Sequence, residues 1–302
     1  MSDKSRLDRV YAQLLRHHPY GWALYKKVTK RDIFPGSCGY FDTDGDWKTL
    51  VDLNDGPGLV SQGWTSPGDG ITGTKSPEAM TWGPKNSVSI QSNHVGGTVG
   101  AAIPGAPISA SISTLFSTQS SHGAVLATQP PVWKSEIGSV GSAVRWMIEN
   151  KRAMLQQHRD VFTKHGIWIV TKTYSTRRCA VAVMTAKSST VEIGLEADAQ
   201  GVLTLAPSSG WTSSTGSSAV EVHEDERDGL VVFISGVYFS PKVFSWGLSH
   251  TGDQGKQGGK LFRGDEDGDA DDDVMLDMEF YPPLEEEEEE EDMGSELDSE
   301  GD

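Results

Sequence analysis

Some segments carry the residue types of nucleotide-binding loops. Gly68, Gly70 and Gly73 match the G-x-G-x-x-G pattern, which binds a pyrophosphate where it lies between a strand and a helix. Here the pattern lies in a Pro/Ser/Gly-rich stretch with no helical periodicity after it. A P-loop does not fit either, because Thr74 separates Gly73 from Lys75. We therefore expect a turn-rich loop at this position.

Two aspartate triplets resemble the start of an EF-hand calcium loop, which needs glycine at its sixth position and a bidentate acid at its twelfth. The triplet that begins at Asp42 has Trp47 and Leu53 at these positions, and the one that begins at Asp265 also lacks both residues. The spacing of Cys and His residues matches no zinc site. We expect no metal site and no cofactor.

Nucleophilic chemistry has equally little support. The chain has no G-x-S-x-G elbow and no H-E-x-x-H pair. Arg177 and Arg178 precede Cys179 and would favour its thiolate, but a nucleophile also needs an oriented base. We expect Cys38 and Cys179 to be reduced structural thiols. No catalytic residue is predicted, and the chain is not expected to be an enzyme.

The basic residues near the N-terminus have a clearer chemistry. Residues 1–31 hold eight bases and two acids. Apolar residues at helical spacing predict a helix over Ser2–His18 with Ser2 as N-cap, and basic side chains line its other face. Such a face is either an ordinary solvated surface or one that attracts an anionic bilayer. The candidate lipid-binding residues are Arg6, Arg9, Arg16, Lys26, Lys27, Lys30 and Arg31.

Acidic residues concentrate at the other end of the chain. The 302 residues have a formal net charge of −17, yet residues 253–302 alone hold 22 acids and three bases. The remaining body is close to neutral. We expect one domain over 1–246, a flexible linker over 247–264 and a disordered acidic tail over 265–302. The tail is either a solubilising segment or a restraint that covers the basic N-terminal surface.

Two weakly charged regions, 88–128 and 167–206, show the period-2 alternation of strands with one apolar face. They fit an ordinary domain whose sheet has one wet face. They also fit strands of the length that crosses a bilayer, which is about 9–11 residues. The candidate lipid-facing side chains are Ile108, Ala110, Ile112, Val181, Val183, Val191, Ile193 and Leu195.

The remaining pattern predicts an α+β fold, a twisted and mostly antiparallel sheet with flanking helices. Apolar residues at near-helical spacing indicate a helix over Ser139–Lys164 that ends at Gly166. The apolar run over 229–246 indicates a strand buried on both faces. The N-terminus lacks the pattern of a secretory signal, and no run of 18 apolar residues occurs. We therefore expect a cytoplasmic protein.

Three parts of the chain resemble a known family. The basic first helix, the stretch VTKRDIFPGSCGYFDTDGDWKTLVDLND (28–55) and the segment from Gly166 to Phe239 are similar to the pore-forming N-terminal domain of gasdermins. The likeness is strongest to fungal gasdermin-like cell-death proteins. GIWIVTKTYST is similar to the start of the family's second extension region, and GLVVFISGVYF to the run near its end. The resemblance covers roughly residues 5–246.

This resemblance implies a gasdermin-like fold and a pore-forming role in a pyroptosis-like programmed cell death. The implied partners are acidic phospholipids of the inner leaflet and further copies of the chain in a pore oligomer. The two alternating regions would become transmembrane β-hairpins, and the protein would move from the cytoplasm to the plasma membrane when activated. No nucleic acid is expected. The short acidic tail departs from animal gasdermins, which carry a folded inhibitory domain there.

Activation by a protease and activation by an allelic partner protein, as in fungal heterokaryon incompatibility, are both compatible with the resemblance. Phe239, Phe244 and Phe262 are candidate cleavage sites in or beside the linker. A different class of function also fits the composition. The chain would then be a non-enzymatic interaction protein that uses its acidic tail to bind basic partners.

Overall fold

The computed structural model describes residues 6–68, 71, 76–99, 110–197, 201–206, 211–213, 217–241 and 276–283. In these residues the chain forms three helices and seventeen strands. The helices are α1 (Leu7–Leu14), α2 (Gly56–Ser61) and α3 (Val140–His165). The strands in chain order are β1 (Trp22–Ala23), β2 (Ser37–Phe41), β3 (Trp47–Asp52), β4 (Glu78–Met80), β5 (Lys85–Asn86), β6 (Ile90–Val99), β7 (Ala110–Thr118), β8 (Gly123–Thr128), β9 (Val132–Glu136), β10 (Ile167–Thr176), β11 (Arg178–Met184), β12 (Thr190–Ala197), β13 (Leu203–Leu205), β14 (Trp211–Ser213), β15 (Ser218–Glu224), β16 (Leu230–Pro241) and β17 (Leu276–Tyr281).

The longest helix, α3, confirms the helix predicted after Ser139. The Ser139 hydroxyl accepts a hydrogen bond from the backbone N–H of Ser142 at 3.2 Å and so caps the first turn. The helix ends at His165 because Gly166 has a φ of 66°, in the left-handed region that favours glycine. Its buried face, which includes Trp146, packs into the same apolar cluster as the centre of the first sheet.

The N-terminal helix, α1, is shorter than the sequence predicted. It begins at Leu7 with Arg6 in the N-cap position and ends at Leu14, and the predicted cap Ser2 lies outside the described residues. The Arg6 guanidinium pairs with Asp8 and donates to the carbonyl oxygen of Asp42 at 3.1 Å. These contacts fix the start of the helix to the turn between β2 and β3. The apolar face of α1 packs against the second sheet.

Strands β16 and β10 form the centre of an eight-stranded sheet, with the order β1-β16-β10-β2-β3. β9 and β4 continue the sheet beside β10. β16 is buried on both faces over Leu230–Val237, which confirms the doubly buried strand predicted within 229–246. Two strands share its outer edge: β1 pairs with Phe233 and Ile234, and β17 pairs with Gly236–Pro241.

A second sheet, β15-β11-β8-β5, lies between α1 and a third sheet, β13-β12-β7-β6 with β14 beside β12. β12 shows the predicted alternation, because Val191, Ile193 and Leu195 are buried and the residues between them are half-buried. The cluster that joins the second and third sheets contains Ile90, Phe116, Val125, Ala127, Ala180, Ala182, Met184, Val191, Ile193, Leu195 and Leu205.

The region 167–206 is not one unit, as the sequence had predicted, but contributes to all three sheets. β10 is at the centre of the first sheet, β11 belongs to the second and β12 to the third. The prediction of a wet face on β11 was wrong. Val181 and Val183 are buried towards α1, and Ala182 and Met184 are buried towards the third sheet. Both faces are covered because the second sheet is the middle layer.

The described residues form an α+β structure in which every strand pair is antiparallel. One part of the predicted disordered tail is ordered, namely β17. Its Leu276, Met278 and Phe280 alternate with acids and pack against the α3 cluster. The high charge of the whole tail concealed this short amphipathic strand, whose apolar burial offsets the entropy of ordering it. The predicted boundaries at 246 and 264 lie outside the described residues.

The close approach of β10 and β16 gives a test of this architecture. A Cβ at Gly236 would overlap the carbonyl oxygen of Ile169 on β10. We expect Gly236→Ala to lower the free energy of unfolding by about 2–3 kcal/mol, because overpacking forces the two central strands apart. Urea unfolding measures the change. Gly68→Ala is the matched control, since no atom lies within 4 Å of an added Cβ there. Equal unfolding of both variants would contradict the prediction.

Candidate functional site

The predicted lipid-binding residues come together on one surface, which we call the α1 surface: α1 to Arg16, and the segment 22–31. The segment runs along the outer edge of β16, where the N–H of Leu24 donates to the carbonyl oxygen of Val232 at 2.9 Å. Helix and segment also contact through Tyr11 and Tyr25, whose rings meet edge to face with centroids 5.5 Å apart. The structure therefore places basic side chains that are up to 25 positions apart in sequence on adjoining elements.

Four of the seven candidate cations already have acidic partners from this chain. The ion pairs join Arg6 to Asp8 at 2.5 Å, Lys26 to Asp46 at 2.7 Å, Arg31 to Asp228 at 3.0 Å and Lys27 to Asp225 at 3.6 Å. Most of these groups are partly exposed, so each pair contributes little stability. The pairs nevertheless lower the positive charge that the α1 surface presents. The sequence alone had suggested a much more strongly basic patch.

Arg9, Arg16 and Lys30 differ from these four. Within the described part of the chain, no ion pair involves them. The guanidinium carbon of Arg16 instead lies 5.2 Å from the ring centroid of Tyr281 on β17, in a cation–π contact. Arg9 and Lys30 are exposed. These three are the cations of the α1 surface with the most charge left for an external anion.

A cleft of about 230 Å³ lies between α1 and the first sheet. Arg6, Arg9 and Lys26 line it together with Asp8, whose carboxylate pairs with Arg6, so Arg9 is the lining cation without a described acidic partner. Its aromatic lining consists of Trp22, Tyr25, Phe41, Trp168, Tyr238 and Tyr281. Cations beside aromatic rings suit a group that combines negative charge with apolar surface.

β17 forms one side of this cleft. The ring of Tyr281 packs against Trp168, at a centroid distance of 4.8 Å, and against Trp22, at 5.4 Å, and the two indoles also contact each other at 5.8 Å. Its hydroxyl donates to the Glu279 carboxylate at 2.7 Å. Burial, together with this carboxylate, raises the pKa of Tyr281 well above its ordinary value. Burial also raises the pKa of Tyr238, where the Glu279 charge adds to the rise and the Arg9 charge opposes it. The tail strand therefore brings an acid close to the basic helix.

Comparison of the chain with models of known protein families and with curated proteins finds no match. The gasdermin resemblance therefore stays a prediction from the sequence.

The predicted membrane-inserting residues lie on different strands. Ile108 lies outside the described residues, and Ala110 and Ile112 are residues of β7. On β11, Val181 and Val183 are core residues. The three on β12, Val191, Ile193 and Leu195, form the apolar face that packs on the second sheet.

The two predicted hairpin regions are direct neighbours, which the sequence did not reveal. β7 of the first region pairs with β12 of the second, in register from Thr190↔Ser117 to Glu196↔Ser111. On the half-buried face of this pair the Ser113 hydroxyl donates to the Glu192 carboxylate. One buried and one half-buried face therefore continue from β12 into β7 over Ser113–Thr118.

The candidate cleavage site at Phe239 is wrong. Its side chain is fully buried, and its backbone pairs with Ile167 on one side and Met278 on the other. A protease needs an exposed, extended segment, which the centre of a sheet does not offer. Phe244 and Phe262 lie outside the described residues.

Both cysteines are free and buried. Burial raises the pKa of Cys179 to about 12, and that of Cys38 also rises. They fit the predicted role of reduced structural thiols. No group of three or more potential metal ligands occurs in the described residues. None of the helices in those residues is both long and apolar enough to span a membrane.

Sequence reasoning missed the tail strand as part of the site. A local signal was present, because Leu276, Met278 and Phe280 alternate with Asp277 and Glu279. The high negative charge of the surrounding segment led to a prediction of disorder in spite of this six-residue pattern. The aromatic lining of the cleft had no sequence signal of its own, since Trp22, Trp168 and Tyr281 are far apart in the chain.

The end of α1 gives a pH-dependent test. His18 Nε2 lies 3.3 Å from the carbonyl oxygen of Asn86, and burial, aided by the charges of His17 and Lys85, lowers its pKa from 6.5 to about 4. Between these two values the unfolded chain binds a proton that the folded chain does not, so stability falls as the pH falls through this range. We expect His18→Gln, which cannot take up that proton, to lose less stability than the wild type.

The measurement is urea unfolding of both proteins at about pH 7 and about pH 4.5. Other groups that titrate in this range, including His158 and His165, are common to both proteins and cancel in the difference. An equal loss of stability in the two proteins would contradict a lowered pKa at His18.

Proposed function

We propose that the chain is a membrane pore-forming effector of regulated, pyroptosis-like cell death. In this proposal it binds acidic phospholipids of the inner leaflet through the α1 surface, associates with further copies and inserts β-hairpins. It is cytoplasmic when inactive and at the plasma membrane when activated. Activation comes from a protease or from an allelic partner protein. The gasdermin-like fold of the region 1–246 is part of the same proposal.

The pairing of β7 with β12 is the observation that carries the proposal. β6, β7 and β12 contain ten, nine and eight residues and form one antiparallel ladder, with a register shift between His94 and Gly96 where β6 pairs with β7. Tilted strands of about 9–11 residues are long enough to cross a bilayer. The apolar side chains of β12 lie on one face, and Glu192 and Glu196 lie on the other. This arrangement supports a transfer of the whole ladder to lipid, with its polar face towards water.

In the folded state the apolar face of β12 is sealed by the second sheet. Moving this ladder into a membrane exchanges one apolar environment for another for the ladder itself. The face of the second sheet that it covered, with Ala180, Ala182 and Met184, then needs a new partner. The backbone pairs between β6, β7 and β12 can be kept during the move. These features support strand insertion without complete unfolding.

The α1 surface supports the lipid-binding step. Each basic group near an anionic membrane contributes roughly 1 kcal/mol to binding. Arg9, Arg16 and Lys30 are the first candidates, since the other four cations must exchange an intramolecular acid for a lipid phosphate. Because such ion pairs are screened by salt, binding should weaken as ionic strength rises.

The tail strand supports a restraint on this surface. β17 places Tyr281 against Arg16 and Glu279 opposite Tyr238. A docked β17 therefore competes with lipid for one of the three cations, Arg16. This contact gives a physical basis for a tail that holds the protein inactive, in preference to a tail that only improves solubility.

Dye release from vesicles tests the proposal. We expect a full-length Phe280→Asp/Tyr281→Asp variant, in which β17 cannot dock, to release dye from phosphatidylserine vesicles and not from phosphatidylcholine vesicles. The wild type and Asp277→Ser, which alters only an exposed position of β17, should release little. An absence of leakage from all three proteins at every acidic composition would contradict the pore-forming function. It would favour the alternative, an interaction protein whose acidic tail binds basic partners.

A charge-reversal pair tests the lipid-binding surface. In the Phe280→Asp/Tyr281→Asp background, we expect Arg9→Glu with Lys30→Glu to weaken binding to phosphatidylserine vesicles by at least about 30-fold, since each basic group contributes roughly 1 kcal/mol. Vesicle co-sedimentation measures the change. Arg145→Glu with Arg159→Glu makes the same change in net charge on exposed positions of α3. An equal loss in the control would show that net charge matters and the α1 surface does not.

A further inference from the structure

β17 is joined to its partner strand by an unusually long connection. Pro241 pairs with Leu276, and the 34 residues 242–275 lie between them. Tight antiparallel hairpins are closed by two to five residues. No tight turn positions β17 against β16, so its position depends on the contacts that β17 itself makes. In this respect it resembles a peptide that is bound at a site and tethered to it.

The site has a backbone part and an apolar part. The edge of β16 over Gly236–Pro241 pairs with all six residues of β17. On the α3 side, Phe280 lies opposite Val237 and Met278 opposite Phe239, and both pack into the cluster around α3. Main-chain pairing provides affinity and side-chain positions at alternate residues provide specificity, as in other cases of strand addition to a sheet edge.

The opposite face of β17 adds an aromatic anchor. Tyr281 is 7% exposed and packs against both Trp22 and Trp168, with Arg16 over its ring. A large aromatic side chain in a well-packed pocket is the usual energetic centre of a protein interface. The site therefore recognises an extended segment with apolar residues at positions 1, 3 and 5 and tyrosine at position 6.

We infer that the outer edge of β16 is a peptide-binding site, and that the β17 segment of a second copy of the chain can occupy it in place of the chain's own segment. Without β17, six residues of β16 would present an unpaired edge next to exposed apolar surface, a strong template for another strand. The chain's own segment keeps the site filled, because its covalent tether gives it an effective concentration of about 1 mM.

Cleavage of the connection between β16 and β17 would not by itself release β17. Cleavage anywhere within 242–275, including at Phe244 or Phe262, leaves every contact of β17 in place. The cut converts a tethered strand into a bound peptide. The β17 segment of a second copy of the chain can then displace this peptide. Strand exchange on β16 is thus a separate step from cleavage.

A peptide-binding measurement tests the site directly. The probe is a fluorescently labelled peptide of residues 274–284 (VMLDMEFYPPL). The receptor is the full-length chain carrying Met278→Asp and Phe280→Asp, which empties the site. We expect this variant to bind the peptide, and the wild type, whose site is filled, to bind at least about 100-fold more weakly because of the tether. A peptide with the Tyr281→Ala change should bind the variant weakly, and a scrambled peptide should not bind.

Three results would overturn the inference: a folded variant that does not bind the peptide, equal binding by wild type and variant, or equal binding of the scrambled peptide. Circular dichroism and thermal unfolding establish that the variant is folded. If it is not, the wild-type chain with a protease site engineered into 247–264 serves instead. After cutting, the tail fragment should co-elute with the body and be displaced by excess peptide, and its immediate loss on dilution would contradict the inference. No lipid is present, so the outcome is independent of pore formation.

Discussion

The pairing of β10 with β16 is the constraint on which the rest of the molecule depends. Both strands are buried on both faces, and they pair from Ile167↔Phe239 to Thr176↔Leu230. One face supports α3 and the other the aromatic cluster around Trp168. The first half of the outer edge of β16 holds the N-terminal segment and the second half holds β17. The two ends of the described chain therefore meet because they share a single strand edge.

This shared edge also explains the electrostatics of the candidate site. A cluster of bases on α1 and the segment 22–31 would repel itself, and the fold relieves that repulsion with acids from the β2–β3 turn and from the loop before β16. Among the described residues Arg16 has no such acid, and it lies against the Tyr281 ring instead. The tail's contribution to the α1 surface is therefore partly aromatic. The described contacts of β17 are backbone pairing, apolar packing and this ring.

Several elements followed from local signals. Ser139 and Gly166 bracket α3 because capping and left-handed backbone preferences act over a few residues. Alternation on β12 predicted its buried face correctly, since a strand with one wet face leaves that mark in its sequence. The same reasoning failed for β11. A strand in a middle layer is buried on both faces, and small residues such as Ala182 do not mark the second face as buried in the sequence. The predicted cleavage site at Phe239 failed for a similar reason. An apolar run ends near Phe239, but the sequence there does not show that β17 pairs with this part of β16.

The sequence by itself determined the α+β class, the long helix, the apolar strand over 229–246 and the separation of basic and acidic ends. Each of these depends on the composition or periodicity of contiguous residues. Only the tertiary structure decided which bases carry acidic partners, that β7 and β12 are neighbours, and that the acidic tail contributes a strand to the core sheet. Those outcomes depend on pairings between residues tens to hundreds of positions apart, and no local pattern encodes the register of such contacts.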